Sequence, residues 1–198
     1  MKRRIILGVV VLVLGMVSFC FAATSIRIAA TIGETHQMNV TLSKVASLGA
    51  TPTVVTDLTG EGMDFGTLTK GADNNFRSSA YFFVDAPVIS NKTGWTITHT
   101  ATDFAKDATN NLNGNANVTF MKVDNLTTAE TPLANNSYIS YAAAKTRAAI
   151  AQSELTAGRL RIYYGLATGS GDATGVSVIT TAKPTGLYQG TVTLTLSP

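Results

Sequence analysis

The stretch Gly190-Thr191-Val192-Thr193-Leu194-Thr195-Leu196 alternates hydroxyl and aliphatic side chains without a break. A period of two sends one set to each face of a pleated strand, and no amphipathic helix can use it. The pattern recurs along the chain. Ile26, Ile28, Ala30 and Ile32 form one set, and Met38, Val40 and Leu42, extended by Val45, form the next. Trp95, Ile97 and His99 oppose threonines, with His99 expected at the wet end of its strand. Val118, Phe120 and Lys122 oppose Thr119, Met121 and Val123, while Leu160, Ile162, Tyr164 and Leu166 form a further set. Tyr81, Phe83 and Val84 precede Pro87, which marks an edge or a bulge because proline cannot donate to a ladder.

Connections rich in Gly, Asn and Asp separate these runs, at 71–75, 90–94, 106–117 and 167–175. Such residues tolerate positive φ and so favour turns. Thirty threonines and a charged fraction of only 14% favour sheet over helix. Only residues 141–155 are ambiguous, because alanine, lysine and arginine there allow a short helix or an irregular strand. Seven or more short strands punctuated in this way predict an all-β, immunoglobulin-like sandwich in one domain. No repeat of fixed period and no second domain is visible.

Residues 1–22 read as a secretory signal peptide: Lys2, Arg3 and Arg4, an apolar run from Ile5, then Cys20-Phe21-Ala22. Cutting after Ala22 places Cys20 and Ala22 at the two positions that require small residues. Phe19 before Cys20 argues against a lipobox, and no type IV pilin leader junction is present. The chain has 15 Lys and Arg against 12 Asp and Glu. Three of those basic residues lie in the leader, so the expected mature chain carries 12 of each, 15 less 3, and no net charge. That balance speaks against nucleic acid and against an anionic membrane as partners. The sole cysteine also leaves with the leader, so stability rests on packing and hydrogen bonds.

Candidate chemistry is sparse, and no cofactor or metal is expected. Two histidines, His36 and His99, cannot build a histidine-rich metal site. Asp64-Phe65-Gly66 lacks any accompanying kinase element and reads as a turn entering a strand. The glycine-rich segment 169–175 leads into a strand pattern, so a hairpin loop is expected and not a phosphate cradle. Asp103 and Asp107 lie in an asparagine-rich loop that does not match a calcium-binding spacing. Trp95 and the tyrosines could form a sugar platform, although the sole tryptophan of a sandwich is ordinarily core. Five glycosylation sequons begin at Asn39, Asn91, Asn117, Asn125 and Asn135, and have meaning only in a host that glycosylates. No acid, base or nucleophile set emerges, so no enzymatic activity is expected.

The segment Pro184-Thr185-Gly186-Leu187-Tyr188-Gln189-Gly190-Thr191-Val192-Thr193-Leu194 resembles the last strand of chaperone–usher pilins, closest to the disulfide-free colonisation-factor class. The layout of residues 24–42 is similar to a donor strand followed by a first domain strand. Segments 62–68 and 90–104 also resemble internal strands of such sandwiches. Ser197 stands where many pilins have tyrosine, a departure from the pattern.

The resemblance implies a sandwich completed by a strand from another subunit. Ile26, Ile28, Ala30 and Ile32 would be the donor residues, within an extension spanning 23–33 ahead of a domain at 34–198. Tyr188, Gly190, Val192, Leu194 and Leu196 would form the C-terminal assembly strand. The implied partners are identical or related subunits, a periplasmic chaperone and an outer-membrane usher. The implied route runs through the periplasm to a fimbrium on the cell surface, with no membrane contact after leader removal. The alternative is a self-complemented exported sandwich that binds glycan or a surface protein.

Overall fold

A computed structural model describes residues 34–45, 54–57 and 62–198. The leader, the extension 23–33 and the residues Ile26, Ile28, Ala30 and Ile32 lie outside the described residues. The protein is all-β. In chain order its strands begin with β1 (His36–Met38), β2 (Thr41–Val45), β3 (Val54–Asp57), β4 (Thr69–Lys70) and β5 (Asn75–Arg77). Next come β6 (Tyr81–Ala86), β7 (Val88–Ser90), β8 (Thr96–Ala101), β9 (Ala116–Asp124), β10 (Glu130–Pro132) and β11 (Tyr138–Ser140). After the single helical turn α1 (Tyr141–Ala144) follow β12 (Ile150–Ala151), β13 (Gly158–Leu166), β14 (Ile179–Thr180) and β15 (Val192–Ser197).

The main sheet runs β10-β9-β13-β6-β2-β3, with β11 also beside β9. A second sheet, β12-β8-β15, packs against it across one core. Val84, Ala86, Val118, Phe120, Leu160, Ile162 and Tyr164 meet Ile97 and Ile150 there, with Val192, Leu194 and Leu196 at the flank. Two small sheets, β1-β7 and β14-β5-β4, complete the set. Residues 141–155 hold both of the expected forms: α1, capped by the Ser140 hydroxyl accepting from Ala143 N, and the short strand β12.

The sandwich is more heavily buried than alternation alone suggests. Phe83 and Tyr163 face away from the main core yet are buried, beside Val45, Tyr81 and Met121. Val45 therefore lies on the opposite face from Met38 and Leu42, which pack on the main core. Val40, expected to point inward, is 45% exposed, and the ladder is interrupted beside it. The break is caused by Pro87. Registers on both sides agree, His36 with Ser90 and Thr41 with Asp85, so nothing has slipped and there is no bulge. Asn39 donates to the Pro87 carbonyl at 3.1 Å, but proline has no N–H to return the bond. The segment 169–175 is likewise no hairpin, since β13 and β14 belong to different sheets. Asp172 folds that loop by accepting from Thr168 N, Gly169 N and Asn117 Nδ2.

His99 overturns its expectation most clearly. It is 2% exposed, in the core and not at the wet end. Its Nδ1 lies 2.9 Å from the Ala144 carbonyl, which can only accept, so Nδ1 carries the proton. Nε2 then accepts from the Tyr164 hydroxyl at 3.0 Å, and the ring meets Phe120 edge-on. Burial disfavours the imidazolium and lowers the pKa below 6.5, and the Arg147 charge acts in the same direction. The unfolded chain therefore binds the extra proton first as pH falls. Stability due to this group is full above about pH 6.5 and declines below it, by at most about 1.4 kcal/mol per pH unit. Urea unfolding between about pH 7.5 and about pH 5 should show this decline. His99→Gln should flatten it, and an unchanged slope in that variant would refute the assignment.

Candidate functional site: the open edge of the C-terminal strand

The approach to β15 is tightly determined. Tyr188 donates its hydroxyl to the Pro184 carbonyl at 2.8 Å, closing the turn that holds Leu187 out in solvent. Gln189 and Ala105 exchange two backbone bonds of 2.9 Å each. At Gly190 a Cβ would meet the Asp103 carbonyl at 3.0 Å and Phe104 Cα at 3.2 Å, so glycine permits the close crossing. Thr191 N then donates to the Thr102 hydroxyl, and Thr102 N donates to the Thr191 carbonyl at 2.9 Å.

From that pair the ladder can be followed outward. β15 runs antiparallel to β8, with Val192 opposite Ala101 and Ser197 opposite Thr96. Hydrogen-bonded and non-bonded pairs alternate in an antiparallel ladder. Thr191, Thr193, Thr195 and Ser197 therefore direct their backbone groups at β8. Val192, Leu194 and Leu196 direct theirs to the other side. On that side β15 has no strand neighbour among the described residues. The side chains of the same three residues are half-buried against the main core, while Thr193 and Thr195 are exposed. One row of residues thus offers an apolar flank together with backbone groups that no strand among the described residues pairs.

The structure places Val192, Leu194 and Leu196 in β15, and Tyr188 and Gly190 before it, in the turn and the close crossing that lead into it. Charge is absent from this strand, and exposed threonines cover its outer face. Such an edge can add another extended strand, with main-chain bonds for affinity and alternate side chains for fit.

Other sequence candidates find local roles. Trp95 is 7% exposed and belongs to the core, so its ring faces are not a sugar platform. The Asp107 carboxylate accepts from Thr109 and Asn110, which hold its pKa down to about 2. Asp103 pairs with Lys145 and Asn113. Asp64 accepts from Gly66 N and forms a turn ahead of β4. Among the described residues no three His, Cys, Asp or Glu side chains converge as a metal site. Alternation alone missed a buried ionic cluster around Arg161 and an uncharged cleft beside β7. No known protein family, curated protein or solved structure matches the chain.

Proposed function

We propose that this chain is a structural, non-enzymatic subunit of an extracellular fibre that polymerises by donor-strand exchange. The observation that carries the reading is the edge of β15, where Val192, Leu194 and Leu196 combine outward-facing backbone groups with a half-buried apolar row. A neighbour's N-terminal segment, with Ile26, Ile28, Ala30 and Ile32 at alternate positions, has the chemistry to add there. Donation from each subunit to the next is head-to-tail and does not close, so it builds a filament. Before assembly the same edge would need cover, the role of a periplasmic chaperone ahead of an usher.

Deletion of residues 23–32 tests this. The shortened chain should lose assembly while remaining soluble in complex with a chaperone that supplies a strand. Filaments of undiminished yield from the deletion variant would overturn the proposal.

A further inference from the structure

β6 pairs with β13 as far as Ala86 opposite Leu160, and the end residues of β13, Arg159 and Gly158, pair with β9 but not with β7. The strand continues past Pro87 as β7, which among the described residues pairs with β1 alone. Asn91 N donates to the Thr35 carbonyl and Asn39 N to the Pro87 carbonyl, which fixes the parity of that ladder. Asn91, Ile89 and Pro87 direct backbone groups at β1, so Val88 and Ser90 direct theirs away from it. Both line a cleft of about 510 Å³. The cleft lies where β13 would have continued.

The walls define what fits. None of the twelve lining residues is charged. Trp95 and Leu155 lie beneath the cleft, both almost wholly buried. Gln152 Oε1 accepts from Gly94 N at 2.6 Å, which turns its Nε2 to donate, and Asn125 adds a second amide at the rim. A phosphate or a nucleic acid would find no cation among the lining residues. A sugar would find no exposed aromatic face, since the indole is buried. What remains is a neutral ligand rich in amides that can pair with a strand.

We propose that this cleft binds an extended, uncharged peptide segment that adds beside β7 in the place vacated by β13. Val88 and Ser90 lie two residues apart, about 7 Å along the strand, so about three peptide residues span the ladder positions. The site is separate from the edge of β15 and does not depend on the fibre reading.

The test is an NMR titration of isotope-labelled protein with the capped pentapeptide acetyl-Thr-Val-Thr-Val-Thr-amide. Saturable shifts are expected at the amides of Val88 and Ser90, the Trp95 indole N–H and the Gln152 side chain. A version N-methylated at its valines should bind about tenfold more weakly, because ladder bonds are removed. The proposal fails if those signals do not move, if shifts are confined to Val192, Leu194 and Leu196, or if the N-methylated peptide binds equally well.

Discussion

Arg161→Ala is expected to lower the free energy of unfolding by about 3–5 kcal/mol, the range for removing one partner of a buried ion cluster. The guanidinium is 11% exposed and sits between two carboxylates. Nη1 donates to Glu130 Oε1 at 2.6 Å, while Nη2 and Nε reach the two oxygens of Asp85. The Phe83 ring lies beneath it, 4.2 Å from centroid to Cζ. Burial opposes the charge, but the bonds from Asp85, Tyr163 and Glu130 outweigh it and raise the arginine's pKa. The Tyr163 hydroxyl also donates to Glu130 Oε1, so burial and that carboxylate together push the phenol up.

Truncation would strand Glu130, whose side chain is 2% exposed, with one neutral donor. Asp85 would keep Arg159 at 2.9 Å and suffer less. Arg161→Lys should recover only part of the loss, because an ammonium cannot bond both carboxylates in the fork geometry. Urea unfolding of the two variants checks both points. A loss below about 1 kcal/mol for Arg161→Ala would mean that the cluster behaves as an exposed ion pair.

His99→Ala should cost a similar amount, about 3–5 kcal/mol, for different reasons. The substitution opens a cavity among Phe120, Ile97 and Tyr164. It also leaves the Ala144 carbonyl and the Tyr164 hydroxyl without their shared partner in a dry core. His99→Gln keeps a donor and an acceptor on one side chain, so it should be the milder variant. Equal losses for the two would mean that neither the filled volume nor a generic donor and acceptor suffices without the imidazole ring's own geometry. Calorimetric or urea unfolding distinguishes these outcomes.

How much of this was legible in the sequence follows from what each residue pairs with. Leu160, Ile162, Tyr164 and Leu166 declare their face by period two, and all four are buried. The threonines of β15 do the same from the wet side. Phe83 and Tyr163 break the rule because Val45, Tyr81 and Met121 pack with them on the second face of the main sheet. A run such as Tyr81-Phe82-Phe83-Val84 is itself the signal of a strand buried on both faces. His99 was misplaced because periodicity gives its face and not its depth, and its partners lie 45 and 65 residues away. The Arg161 cluster joins residues as distant as 76 positions, beyond the reach of any local pattern. Pro87, expected at an edge or a bulge, leaves the register intact and forms no bulge. Its consequence, two outward-facing backbone positions above a cleft, depends on where the pairing of β6 with β13 ends.

The C-terminal residues illustrate the opposite case. Val192, Leu194 and Leu196 declare their row by alternation and share β15, because a single edge strand needs no distant information to alternate, while Tyr188 and Gly190 lie in the approach before it. What the pattern alone cannot give is the neighbour on the far side of that strand.

That neighbour is the central claim, and one gel addresses it directly. Exported protein would be run on a denaturing gel, with one portion heated and one unheated. Strands exchanged between subunits separate only when folded domains open, so assemblies held this way should be kinetically stable. The account predicts a ladder of multimers in the unheated lane that collapses to monomer on heating. A monomer in both lanes, from protein produced with its chaperone and usher present, would contradict it.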